Sequence, residues 1–498
     1  MTGLLILATM AQLSQFVTYI SAGIRRHFCV AQMSDGGYVC SGNLVATGFR
    51  PVLCRFDSNG NLLWYYYLYK TANEDPGGQS FVETYDGGFV LTGQLDNLSA
   101  TDVALAKFNS AGGFSWIREI SLGWDWAYSI IESSDNGLVI AGATDTDILL
   151  TKFDASGNHL WTKSFSGSGT EVGRGVTETS DGGLALVGFT NSWGAGGYDI
   201  VLMRLNSTGD TLWTRTLGGT GDDLGYSLVQ TTDGGFVVSG YTESFGAIAG
   251  DNILAKFDGS GNYLWSVVFG YGTTLDTLAS VVEGAGGVLG LVSWSTPNVL
   301  TMNIPLTRFD ASGNFLGAWI PLSLATASEV AYSYPGITST SDGGFVTTGE
   351  SYLIKYDASG ATCMGLPATP NLIFPSPTVT SPGPSVTART PTVTSPSHTR
   401  QTPSNTQYWP CNPLELEEET SSGDTFYFRS ERGRLCFTLP VAGYVQLSLY
   451  DPSGRLVARP IDGWTEAGEH EVAVETGRGA YLALLECEGG TRIISVFR

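Results

Sequence analysis

Between residues 16 and 363, apolar and polar positions alternate in short runs broken by glycine-bearing turns. In one unit the runs are LWTRTLG (212–218), YSLVQTT (226–232), FVVSGYT (236–242) and NILAKFD (252–258). Alternation with a period of two predicts β-strands. Asp-Gly and Ser-Gly between such runs predict hairpins, because these turns need a positive φ that glycine adopts without a Cβ clash.

The pattern repeats. A turn followed by Trp recurs at Asp57…Trp64, Asn109…Trp116, Asp154…Trp161, Asn206…Trp213 and Asp258…Trp265, more loosely at Asp310…Trp319, and without the Trp at Asp357. Successive turns are 52, 45, 52, 52, 52 and 47 residues apart. A second landmark is the Asp-Gly-Gly turn opened by Asp35, Asp86, Asp181, Asp233 and Asp342, as Asp-Asn-Gly at Asp135 and as Ala-Gly-Gly at Ala285. Seven copies of each landmark mean seven four-stranded units. None can bury both faces alone, whereas radial packing buries them.

The predicted fold is therefore all-β: a seven-bladed β-propeller over residues 16–363, a Pro/Thr/Ser-rich linker over 364–410 and a small C-terminal β-sandwich over 411–498. The repeating Trp64, Trp116, Trp161, Trp213 and Trp265 and the Asp-Gly-Gly aspartates are read as blade geometry. The Trp-type strand is expected outermost. Phe16-Val17-Thr18-Tyr19 would then complete the last blade as its fourth strand, with both hairpin turns on one rim and the connections of variable length on the other. The linker, which carries PTVTSP at 377–382 and again at 391–396, is expected to be an extended spacer. Residues 1–15 hold a short apolar run, Leu4–Ala8, read as a signal peptide although no Lys or Arg precedes it; a displaced start or a plain N-terminal strand is the alternative. The run is too short to span a membrane.

Lys+Arg 25 against Asp+Glu 47 gives a net charge of −22, which argues against nucleic acid. The acidity is read as solubility, with calcium or a basic partner as the alternative. The seven cysteines include no Cys-x-x-Cys, which argues against a zinc ribbon or redox motif. Cys29 and Cys40 flank the first Asp-Gly-Gly turn and are read as buried residues rather than a disulfide.

The stretch GYDIVLMRLNSTGDTLWTRTLGGTGDDLGYSLVQTTDGGFVVSGYT (197–242) resembles the SBBP-type bacterial β-propeller repeat, and the resemblance covers nearly all of 16–363. In the C-terminal part Leu439-Pro440, LSLYDPSGRLV (447–457), Ala467-Gly468-Glu469-His470 and Gly479-Ala480-Tyr481 resemble the C-terminal sorting domain of type IX secretion cargo; a flagellar hook-cap-like immunoglobulin module shares much of this pattern. These resemblances imply a bacterial protein that is secreted or held at the cell surface and engages a type IX-like export machinery.

Candidate chemistry is sparse. The alternate oxygens of Asp57-Asn59-Asn61 or Asp154-Ser156-Asn158 are those of a calcium loop, but one carboxylate per turn favours a structural turn. The turn-plus-Trp string resembles the docking turn of quinoprotein propellers, where the Trp packs between blades; no quinone site is visible. A sialidase aspartate box differs in its Gly and Trp spacing, and Arg55, Arg204 and Arg308 share a repeat position with Lys107, Lys152, Lys256 and Lys355, read as solvated strand-end cations. Asp222-Asp223 and Asp145/Asp147 are read as solvated loop acids, and no catalytic set is assigned. Trp124, Trp126, Trp193, Tyr198, Phe245 and Trp294 fall outside the repeating Trp position and are the candidate ligand contacts on the variable rim. The expectation is a non-enzymatic binding or adhesion protein for an extracellular carbohydrate or protein, with a glycan-active hydrolase or lyase, or a structural surface-layer component, as alternatives. No cofactor is expected.

Overall fold

The computed structural model describes residues 16–19, 24–45, 49–69, 78–97, 100–121, 125–246, 250–271, 276–298, 301–303, 305–321, 336–349 and 352–360. It also describes seven short strands between 365 and 409, and 428–431, 434–439, 442–450, 456–473, 480–487 and 490–497. Residues 1–15, read as a signal peptide, and Trp124 lie outside these, as does the side chain of Trp294. Two units are distinct, residues 1–410 and 411–498.

The first unit is a seven-bladed β-propeller. Blade 4 shows the plan: Glu171–Glu178, Leu184–Thr190, Asp199–Leu205 and Thr211–Gly218 pair in chain order as an antiparallel sheet. The innermost strands contact one another in sequence, and the last, Ile337–Ser339, meets the first, Ile24–Gln32, so the ring is closed. The seam is made as expected: Phe16–Tyr19 pairs with Tyr352–Tyr356 and completes blade 7.

The middle strands are apolar on both faces because each face meets a neighbouring blade. In Leu184–Thr190, Leu184 and Leu186 pack towards blade 3 with Ile148 and Phe165. Ala185 and Val187, pointing the other way, pack towards blade 5 with Phe236 and Ile253. Seven such interblade cores circle the unit. Cys40 and Cys54 are buried in the core between blades 7 and 1, and Cys29 is half-buried.

The repeat residues lock these interfaces. Trp116, Trp161, Trp213 and Trp265 each lie against the positive-φ glycine of the next blade's turn, at Gly157, Gly209, Gly261 and Gly313, where a Cβ would come within 3.0 Å of the indole. Arg215 lies over the Trp213 ring at 5.0–5.1 Å, like Arg118 over Trp116. Its Nε donates to Gly261 O of the next blade at 2.7 Å. Each turn aspartate serves its own turn: Asp258 Oδ1 accepts from the Ser260 and Asn262 amides, and Oδ2 from Asn262 Nδ2.

The cations expected to be solvated are instead buried. Lys256 Nζ, with 2% of its side chain exposed, donates to Asp233 Oδ1 at 2.8 Å. Arg55–Asp35, Lys107–Asp86, Lys152–Asp135, Arg204–Asp181 and Lys355–Asp342 repeat the pair. The cation lies on the third strand, under the Asp-Gly-Gly turn that joins the first two, so the pair ties a turn to a strand and encloses the cation. Blade 6 has Ala285 in place of the aspartate, and Arg308 turns to Ala358 O at 2.7 Å. Ala285→Asp should restore the pair and stabilise the protein by up to about 1 kcal/mol, measured by denaturant unfolding.

The segment expected to be a spacer does something else. Gly365–Ala368, Asn371–Ile373, Thr378–Thr380, Ser385–Arg389, Thr392–Thr394, Thr399–Gln401 and Gln407–Trp409 each add a fifth, outer strand to one blade, taken in the order 6, 5, 4, 3, 2, 1 and 7. The Trp-type strand is thus the fourth strand but not the outermost. The strands start six to eight residues apart, and seven extended residues reach about 23 Å. Of the prolines only Pro367 falls inside a strand; the rest separate strands, and proline is tolerated on edges. Thr380 Oγ1 meets Thr216 Oγ1 at 2.5 Å. This belt ends on the seam, where Gln407–Trp409 pairs with the far edge of Phe16–Tyr19.

In the second unit a three-stranded and a four-stranded antiparallel sheet share a buried cluster of Leu435, Phe437, Val445, Leu447, Leu449 and Leu485.

Candidate functional site

The two rims differ as expected. Both hairpin turns of each blade lie on one rim; the connections before strands 1 and 3 lie on the other, which for blades 4 and 5 includes residues 167–170, 191–198, 219–222 and 243–246. Here the innermost strands of blades 3, 4 and 5 carry a β-bulge at the same place, between Ala127 and Ser129, Gly173 and Gly175, and Gly225 and Ser227. The bulge is possible because Gly188 faces it, where a Cβ would collide with Val172 O. A bulge re-aims the extra side chain. The extra residues are Tyr128, Arg174 and Tyr226.

These three meet. The Arg174 guanidinium lies 3.9 Å from the Tyr128 ring centroid and 5.7 Å from that of Tyr226, with Phe189 at 5.6 Å. Tyr198 stands edge-on to Phe189 at 5.3 Å. All five side chains are half-buried. The result is a cation set among aromatic rings, contributed by three adjacent inner strands, the second strand of blade 4 and one rim loop. Each contact of this kind is worth roughly 0.5–2 kcal/mol.

Of the candidate contacts read from the sequence, Tyr198 belongs to this cluster. Trp193 lies beside the turn at Gly167, and Trp126 sits on the inner strand of blade 3; both are half-buried. Phe245 packs against the core between blades 4 and 5 and acts as filling. The sequence reading missed Tyr128, Arg174, Phe189 and Tyr226. The available signal was their shared place in the repeat, three residues after the acids Asp125, Glu171 and Asp223 for the three bulge residues.

Those acids are not solvated. Asp125, Glu171 and Asp223 are 0% exposed and Asp199 1%, which corrects the reading of Asp223 as a loop acid. Glu171 is fully engaged: Oε2 accepts from the Gly167 amide at 2.6 Å, and Oε1 from Thr190 Oγ1 at 3.0 Å and from Ser192 Oγ. Asp223 Oδ2 accepts from the Gly219 amide at 2.8 Å and Ser244 Oγ at 2.6 Å. Asp199 Oδ2 accepts from the Ala195 amide at 3.0 Å. Burial, aided by the charge of Asp223, pushes the Asp199 carboxyl up to about 6. Burial likewise raises Asp223. Asp222, beside it, is half-buried and accepts from the Tyr198 amide at 2.9 Å, while Asp145 is exposed.

No protein-family model and no curated protein matches the chain. Among solved structures it is similar to a mutant of NanB sialidase from Streptococcus pneumoniae, at 12% identity and a TM-score of 0.38 over 55% of this chain and 65% of that one. It is also similar to a protein of unknown function from Dyadobacter fermentans, at 10% identity and a TM-score of 0.35 over 69% of this chain and 97% of that one. A carbohydrate-active enzyme of Trichoderma reesei is 15% identical, with a TM-score of 0.32 over 69% of this chain and 96% of that one. The chain spans just under two thirds of the sialidase. At these scores the likenesses carry no argument about function.

Proposed function

We propose that this is a secreted or cell-surface, non-enzymatic binding protein that presents the variable rim of its propeller to an extracellular ligand. The observation that carries the reading is the half-buried cluster of Tyr128, Arg174, Phe189, Tyr198 and Tyr226. Rigid aromatic rings around a guanidinium suit a glycan, whose C–H faces stack on rings while hydroxyls take hydrogen bonds from the cation. Bacterial export or anchoring through residues 411–498 rests on the resemblance of that unit to type IX sorting domains, and the propeller's kinship on its resemblance to SBBP-type repeats.

The raised acids Asp199 and Asp223 favour a second reading, a glycan-active hydrolase with two carboxylates in different protonation states. Both are closed off from solvent, however, and a general acid must reach its substrate. Binding is therefore preferred. Incubating the full chain with a glycan array and then with the retained polysaccharides should show retention without release of new reducing ends. Release of reducing ends that is lost in Asp199→Asn would establish the hydrolase instead.

A further inference from the structure

The pair Asp199 and Asp223 has a feature that sets it apart from the fully engaged Glu171. Each keeps one oxygen, Oδ1, fully buried with no hydrogen-bond partner. They are neighbours: a Cβ on Gly218 would press on Asp199 Oδ1 and on Asp223 Oδ2, 2.8 Å away, at once. The buried cations Arg55, Lys107, Lys152, Arg204, Lys256 and Lys355 each have an aspartate as counter-charge. Glu171 occupies the same repeat position as Asp223 and has both oxygens satisfied. Asp223, one methylene shorter, is satisfied on one oxygen only. Among the described residues no Lys or Arg forms an ion pair with either carboxyl. Two like charges brought together in a dry site demand a positive partner.

We propose that Asp199 and Asp223 bind a hard divalent cation of the calcium class at the junction of blades 4 and 5. Open carboxylate oxygens in a glycine-lined setting are the ligands such ions take. Among the described residues no three His, Cys, Asp or Glu side chains converge on a metal position. The pair therefore supplies two side-chain ligands, and backbone carbonyl, hydroxyl or water oxygens complete the shell. The ion would fasten loop 191–198, held by Asp199, to turn 219–222, held by Asp223. It would thereby set the rim beside Tyr198. The site stands whether or not the rim binds a glycan.

The test uses the full chain, stripped with chelator at pH 7.5 and scanned with calcium chloride or chelator. Millimolar calcium should raise the unfolding midpoint by about 3 °C or more. Asp199→Asn/Asp223→Asn should abolish that rise and lose one bound ion per chain by calorimetric titration. Asp258→Asn, which alters a turn carboxylate, should keep both. A calcium response that persists in the double variant overturns the assignment. So does an unmoved midpoint in calcium combined with stability that rises as pH falls from 7 to 5. That result would mean the pair shares a proton, with Asp222 and Glu243 the other acids on the adjoining turns.

Discussion

Val17→Pro and Thr18→Pro are each expected to destabilise the propeller by about 3 kcal/mol or more, read by denaturant unfolding of the full chain. Neighbouring amides of a strand point to opposite sides. In Phe16–Tyr19 one amide therefore serves Tyr352–Tyr356 and the next serves Gln407–Trp409. Proline removes the amide and is tolerated only on an edge. If the belt closes over the seam, the strand has no free edge and both substitutions are costly. If the belt is a detached spacer, one of the two is nearly silent. The seam is the one blade built from both ends of the propeller chain, and the belt clamps its N-terminal strand from outside. Covering the outer edge of the seam therefore waits for residue 409.

Asp233→Asn should cost about 2 kcal/mol, below the roughly 3–5 of a fully buried pair because the carboxylate is 58% exposed. It leaves the Lys256 ammonium buried without a counter-charge. Lys256→Met should cost within about 1 kcal/mol, since it removes the buried charge itself and leaves an aspartate in water. The same pairs set the acid limit. Burial alone would raise Asp233, but the bonds from Lys256, Thr231 and Gly235 outweigh it and hold the carboxyl at about 2. Asp86 and Asp135 are held likewise at about 2, and Asp35, Asp181 and Asp342 are lowered. A carboxyl lowered by folding stabilises above its unfolded value and loses that contribution as pH falls through its folded one. Cooperative unfolding is therefore expected between about pH 4 and 2, and Lys256→Met should show a shallower acid transition than the parent.

Most of the fold was legible because its signals are local. Period-two runs, glycine turns and the fixed turn-to-Trp step gave seven blades, two kinds of rim and a seam closed by Phe16–Tyr19. What escaped depends on distant partners. The buried cations looked solvated because Lys256 meets Asp233 only after the third strand folds back under the first hairpin. The belt escaped because Thr-Val-Thr between prolines reads equally as a polyproline spacer or as a row of edge strands. Only the seven-residue pitch, matched to successive blades, tells them apart. The loop aromatics drew attention to the rim that also holds the aromatic cluster. The centre of the cluster sits on inner strands, where a bulge of one residue turns Tyr128, Arg174 and Tyr226 out of the alternation the pattern assumes.

The most direct test of the rim as the binding face is a binding isotherm of the full chain for whichever glycan the array retains, compared across two variants. Tyr128→Ala/Arg174→Ala should weaken binding at least tenfold with the fold intact by circular dichroism. Asp181→Asn, on the opposite rim, should leave the affinity unchanged. Equal affinity for parent and Tyr128→Ala/Arg174→Ala, or a loss confined to Asp181→Asn, would contradict the account.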